Sequence, residues 1–378
     1  MQNKKNSSMG ALILAIGFIL LPMGYLYPID NTEPPAQPVL PMIRAMGGAF
    51  TAVANDENAV FYNPAGYAII NNGIISVFSL GIKVNIDDSA LRLYNALISG
   101  TNIVSAENIN TYLSDTTVAA GITGPIYFGR VGNNFGFSFF DSINISLDTR
   151  PGGMQPSAVF NAYTDLGFIG GYSIELPFLT NLYTGLNLKV VLRTKTNIEG
   201  TILGVMDTIS NSSEIPLSKA IGFGGDFGIL YIPYSWFSLG LCAKDFFGTR
   251  FSSWESLNQS EPFPRSSIKP RIAFGMAFYP LKGTTLESKN FNNFVVAIDY
   301  SDLLDYSSIL SNINFGMSFN TLRIINLRGG FEGGYPALGI GFDLNFFHLD
   351  IVYFVDELGA YPGANPVQNL MFNFAFKW

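Results

Sequence analysis

The chain has 378 residues, of which only 13% are charged and 48% are apolar, whereas soluble domains carry about 25% charge. A net charge of −7 leaves no basic footprint for nucleic acid, so no such partner is expected. With one cysteine, Cys242, and one histidine, His348, neither an internal disulfide nor a metal centre built on those residue types is available.

Residues 1–27 read as a signal peptide. Lys4 and Lys5 form a positive start, and Met9 to Leu21 follow without a charge. The junction falls near Gly24 or within Tyr25 to Asp30. A retained helical anchor over Met9 to Tyr27 is the alternative, weakened by Pro22 inside it. Past this leader no apolar run reaches the roughly 20 residues of a spanning helix.

Residues 28–71 are expected to form a linker and a plug. Pro34, Pro35, Pro38 and Pro41 make an extended linker between leader and plug. Arg44 to Gly66 is rich in glycine and alanine and ends on the turn Asn63-Pro64-Ala65-Gly66. There Pro64 fixes φ and cannot donate, while Asn63 can bond its own neighbouring backbone. Gly47, Gly48 and Gly66 allow close backbone packing, and Phe50 and Phe61 supply apolar anchors. Asp56 and Glu57 start or cap a short helix running toward Tyr62.

From residue 72 to 378 the period is two. In the first strand Ile74, Ser76, Phe78, Leu80, Ile82 and Val84 share a face opposite Ser79, Gly81, Lys83 and Asn85. Leu186, Leu188, Val190 and Leu192 likewise oppose Asn187, Lys189, Arg193 and Lys195. Strands are expected near 72–86, 116–128, 133–147, 161–176, 181–199, 217–231, 235–248, 266–280, 291–302, 311–319, 322–332, 335–345, 346–356 and 367–378. That is an all-β, membrane-spanning antiparallel barrel of about 14 strands, an even number as single-chain bacterial barrels require. Long connections follow strands one, three, five and seven. Mostly tight turns follow the even strands, including Gly129 to Gly132. Both ends of the chain then lie on the tight-turn side.

No constellation suggests catalysis or a cofactor. His348 shares the lumen-facing parity with Asp350 but has no visible nucleophile partner. Gly222, Gly224, Gly225 and Gly228 lack dinucleotide-binding spacing; they ease crowding in the wall or let a plug approach. In the third strand Asp141 falls in an otherwise apolar row with Phe135, Phe137, Phe139 and Ile143, so a bulge or kink that turns it inward is expected. Ile75, Val77 and Phe140 fall on the lumen-facing parity. The last strand carries Leu370, Phe372, Phe374, Phe376 and Trp378 on one parity, and its terminal aromatic looks like the signal read by the outer-membrane assembly machinery.

Met46, Gly47, Gly48, Ala49 and Phe50, followed by Asn63, Pro64 and Ala65, resemble the N-terminal plug of the FadL-like long-chain fatty-acid transporters. The resemblance covers about twenty residues. It implies an outer-membrane location in a diderm bacterium and passive uptake of hydrophobic molecules such as long-chain fatty acids. It also implies a plug that moves to release the ligand, with gating residues Met46, Gly47, Gly48, Phe50, Asn63, Pro64, Ala65 and Gly66. The family's third strand kinks to open a side portal, which maps to Phe139, Phe140 and Asp141. Expected partners are a hydrophobic ligand, outer-membrane lipid and the barrel assembly machinery. The rival reading is a surface scaffold or adhesin whose loops Ser89–Asp115, Gly200–Leu217 and Thr249–Ser266 carry the function. The family also holds secretion-associated barrels and uncharacterised spirochaetal sets.

Overall fold

The computed structural model describes residues 32–378 except 104, 106, 153–154, 212–214, 259–260, 284–290, 306–308, 323 and 360. The leader 1–27 and its cleavage junction lie outside the described residues.

Fourteen antiparallel strands close into one barrel. In chain order they are β1 (Ile74–Asn85), β2 (Thr117–Thr123 with Phe128–Gly132), β3 (Phe135–Arg150), β4 (Ser157–Glu175), β5 (Leu182–Thr201) and β6 (Ser218–Tyr234). There follow β7 (Phe237–Lys244 with Thr249–Phe251), β8 (Ser267–Ile268 with Arg271–Phe278), β9 (Phe291–Tyr300) and β10 (Ile313–Thr321). The last four are β11 (Ile325–Glu332), β12 (Tyr335–Leu344), β13 (Phe347–Glu357) and β14 (Pro366–Lys377). Each strand pairs with the next, and β14 returns to β1 in register from Phe78↔Phe376 to Asn85↔Asn369. Closure leaves no unpaired edge, as a strand wall in lipid demands.

The faces are inverted relative to a soluble protein. Leu186, Leu188 and Val190 of β5 are exposed, while Asn187, Lys189 and Arg193 of the same strand are buried. Alternation puts one row into lipid and the other into the lumen. Strands β3, β4 and β5 run 16, 19 and 20 residues, well beyond the roughly 9–11 that cross a bilayer. The wall there rises past the membrane, and the connection expected to be long after the third strand shrinks to 151–156. Apolar alternation fades in that taller part because water, not lipid, faces it.

Short turns prevail at one end, although β11 and β12 are joined by a two-residue turn, Gly333-Gly334, at the other. The β2–β3 turn is Asn133-Asn134, with φ +53° and +73°, rather than the expected Gly129 to Gly132. Asparagine tolerates the left-handed region that a two-residue hairpin requires. At the other end α1 (Asp88–Ile98), α2 (Ile109–Leu113) and α3 (Ile202–Ser210) fold over the rim. Leu93, Ile109, Leu113, Ile202 and Val205 bury a small core there against Ala158 and Ile198 of the tall wall.

Three inward assignments change. A bulge between Ser76 and Phe78 turns Val77 outward, where it is 38% exposed, and leaves Ser76 buried beside an inner cavity. Ile74 packs on the interior core, so by alternation Ile75 points away from it. Asp141 is not turned inward either: β3 pairs with β4 from Phe135↔Tyr172 to Arg150↔Ser157 without a shift. The break lies in the neighbouring strand. β2 is interrupted between Thr123 and Phe128, and Asp141 Oδ1 accepts from the freed Ile126 N–H at 3.0 Å. An acidic group on the outer row is tolerated because it satisfies a backbone donor that the ladder has left behind.

Candidate functional site: the plugged lumen

The plug fills the turn-end half of the lumen. It consists of α4 (Pro41–Ala45), α5 (Ala59–Tyr62) and a 3₁₀ turn over Pro64–Ala68. All three are too short to be stable alone, so packing holds them. Met46, Phe50, Phe61 and Tyr67 are fully or almost fully buried. Phe61 meets Phe140 of β3 edge to face, with ring centroids 5.3 Å apart, so Phe140 points inward as expected.

Asn63 is the hinge of this arrangement and is wholly buried. Its Oδ1 accepts from Ala65 N at 3.1 Å, forming the expected local turn. Its Nδ2 donates to Thr51 O at 2.8 Å within the plug and to Ile229 O of β6 at 3.1 Å. One side chain thus fixes the turn, the plug interior and the wall. Asn63→Ala is expected to lose all three bonds and destabilise the folded barrel by about 1–3 kcal/mol. Thermal unfolding in detergent measures this, and an unchanged midpoint would show that the bonds carry no net stability.

Polar wall groups seize the plug backbone elsewhere. Asp299 Oδ2 accepts from the N–H groups of Phe50 and Thr51 at 2.8 and 2.7 Å. Ser238 Oγ donates to Ala52 O at 2.7 Å. Asn187 accepts from Tyr67 Oη at 2.7 Å and donates to Val60 O at 3.0 Å. Arg44 pairs with Glu332 and Asp356, and Lys377 of the closing strand pairs with Glu57 at 2.7 Å. Asp56 accepts from Asn58 N ahead of α5, but the helix starts only at Ala59, and its N-cap Asn58 makes no side-chain capping bond.

Glycines on inward positions let the plug seat. A Cβ at Gly185 would overlap Pro64 and Ala65, one at Gly240 would overlap Thr51 and Ala52, and those at Gly316 and Gly330 would overlap Met46 or Gly47. Gly47 itself, at φ +59°, lies against the Phe331 backbone.

The proline-rich segment is extended as expected but lies inside the barrel. Thr32 bridges Ser267 at the loop end of β8, and Glu33 N donates to Ser267 O at 3.0 Å. Glu33 pairs with Lys195 and with Arg193, whose guanidinium also takes Asp165 at 2.6 Å and donates to Pro34 O at 2.9 Å. These charges sat on the inward parity in the sequence, yet nothing local tied Glu33 to them.

Above the plug lies a chamber of about 720 Å³. Pro34, Pro35 and Pro38 line it together with Tyr62, Lys83, Lys244, Arg271 and several carboxylates. The chamber is mixed in character: Val39, Leu40 and Ala273 border it beside charged groups, some of which, such as Asp299, Glu332 and Asp356, also hold the plug. Pro38, Val39 and Leu40 also border a second cavity of about 50 Å³, lined by Ser76, Ser79, Thr123 and Tyr127 beside the break in β2. Within that break Gly124, at φ +83°, lies against Ser79 O, where a Cβ would not fit. His348 lines this small cavity near Asp350, with Nδ1 2.6 Å from Asp343 Oδ1. Cys242 is a buried wall residue. Among the expected portal residues, Phe140 faces the plug while Phe139 and Asp141 stay on the outer row.

At the closing strand Phe372 and Trp378 are exposed on the outer surface. Phe374 meets Phe347 and Phe376 edge to face at centroid distances of 4.5 and 5.1 Å. Trp378 N and O both bond Ile75 of β1.

No family model and no curated protein matches the sequence. Solved structures do match in fold. A mutant of the TodX monoaromatic hydrocarbon channel superposes with a TM-score of 0.52 at 11% identity, covering 89% of this chain and 97% of its own. The toluene transporter TbuX of Ralstonia pickettii gives 0.50 at 13% identity, covering 90% and 98%. A second TodX mutant gives 0.50 at 12% identity, covering 89% and 97%. The chain shares its fold with these solved hydrocarbon channels and toluene transporter.

Proposed function

We propose that this barrel sits in the outer membrane of a diderm bacterium and admits hydrophobic small molecules by passive uptake, without catalysis. The observation that carries the reading is the combination of a plug bonded to the wall at many points with a chamber open above it. A straight aqueous bore is blocked, while a binding space remains on the loop side, which this reading places outside the cell. The solved neighbours described as hydrocarbon channels and a toluene transporter support a hydrophobic cargo. The resemblance of Met46 to Gly66 extends the proposal to long-chain fatty acids.

Uptake into proteoliposomes of labelled toluene and palmitate, beside labelled glucose, tests this. Entry of either hydrophobic probe above protein-free vesicles, with glucose at the leak rate, is expected. Glucose entering as fast as both would replace the reading with an open porin. Binding of a host surface by the rim helices, with no uptake, would favour the adhesin reading.

The closing strand belongs to the same proposal, with Phe372, Phe374, Phe376 and Trp378 as its assembly signal. Removing Trp378 is expected to lower the heat-modifiable folded band in the outer membrane while secretion continues. A normal band would separate these residues from assembly.

A further inference from the structure

Where the outer apolar row of β2 to β5 persists above the bilayer, helices cover it. Val118 is the register partner of Leu147, Leu147 of Phe160, and Phe160 of Ile198. These four side chains form one ridge across four strands, and Leu93, Ile109 and Val205 of the three rim helices pack on it. Two residues nearer the turn end of β3, Ile145 is exposed and belongs to the lipid-facing band. Same-face neighbours on a strand lie about 7 Å apart, so the helices sit directly against the edge of that band.

The length of β1 gives the same level. Its 12 residues slightly exceed the roughly 9–11 of a tilted spanning strand. α1 begins three residues later, at Asp88. Tyr94 Oη donates to Asn85 Oδ1 at 3.1 Å, which holds α1 to the end of β1 and fixes its rotation.

α1 carries more apolar surface than the wall uses. At about 100° per residue, Leu93, Leu97, Ala90, Tyr94, Ile98 and Leu91 succeed one another round the helix. Asn95, Asp88 and Arg92 form an exposed polar stripe beyond Leu91. Ala90, Leu93 and Ala96 are buried, whereas Leu91, Leu97 and Ile98 are exposed, Ile98 to 85%. Round the axis the order is therefore wall side, open apolar side, polar side. A helix lying at a lipid–water boundary beside a protein wall has that order. A second copy of the chain fits this face poorly, because three side chains fall far short of the about 800 Å² per partner that a stable interface buries.

We infer that α1 is an interfacial helix, and that the partner of Leu91, Leu97 and Ile98 is the headgroup–acyl boundary of the leaflet on the loop side. The lipid contact of the barrel then continues from the strands onto this helix. The inference is independent of the uptake reading and of the cargo.

Fluorescence of a nitrobenzoxadiazole label on the purified protein in phosphatidylcholine nanodiscs tests this. The label is attached at Ile98→Cys or at Asn95→Cys, each in a Cys242→Ala background and each checked for the heat-modifiable folded band. Leu97→Cys reports the open apolar side if Ile98→Cys folds poorly. At position 98 the label is expected to lose most of its emission to lipid brominated near the headgroup, less to lipid brominated near the chain end, and little to iodide. The shallow preference follows from the about 5–10 Å burial of an interfacial helix. At position 95 iodide should quench and brominated lipid should not. Iodide reaching both labels alike, with no quenching by brominated lipid, would overturn the inference, since α1 would then stand in water. Brominated lipid quenching both labels alike would overturn the assigned rotation. Protection at position 98 that appears only when two barrels share a disc would give the face to a second copy and overturn the lipid assignment.

Discussion

Deletion of Gly47 to Ala59 is expected to convert a nearly silent protein into one with large single-channel conductance in planar bilayers. The deleted segment carries Phe50, Thr51 and Ala52, through which Asp299 and Ser238 hold the plug. It also carries Glu57, the partner of Lys377. The wall does not depend on it: β14 and β1 close by their own ladder, from Phe78↔Phe376 to Asn85↔Asn369. Polar inward groups such as Asn187, Asp299 and Lys377 would then be wetted, and a lumen lined by them conducts ions. Equal conductance before and after deletion would mean the segment does not occlude the pore.

A single wall substitution, Gly185→Val, should reach part of that state. The three atoms closest to a Cβ at Gly185 all belong to Pro64 and Ala65 of the plug. The side chain points into the lumen, so the β5 ladders keep their hydrogen bonds. Overpacking a filled site costs about 1–3 kcal/mol, and the plug yields more readily than the closed wall. We expect a normal folded band, a lower unfolding midpoint and intermediate conductance. Gly329→Ala is the control, since its nearest neighbour is an ordinary contact at 3.5 Å. If Gly185→Val stays silent and fully stable, the plug does not rest on this part of the wall.

Much of the barrel was readable because its rules are local. A strand residue faces lipid or lumen by parity, so Leu186 against Asn187 declares both faces without reference to any partner. The Asn63-Pro64 turn was equally legible, since Pro64 restricts φ and Asn63 bonds its own neighbour Ala65. Where parity slips, local reading fails. The bulge at Ser76 and the interruption after Thr123 depend on how β1, β2 and β3 share hydrogen bonds. For that reason Val77 and Asp141 were placed on the wrong face.

By itself, then, the sequence determined the strand count, the two faces and the presence of a buried N-terminal turn, because period and turn chemistry are properties of neighbouring residues. Only the tertiary structure decided which charges meet. Glu33 reaches Arg193 across 160 positions and Glu57 reaches Lys377 across 320. Lys244 is placed opposite Arg271 in the register of β7 and β8. Closure of the barrel and the path of the chain through its lumen bring these groups together, and a period of two carries no record of either.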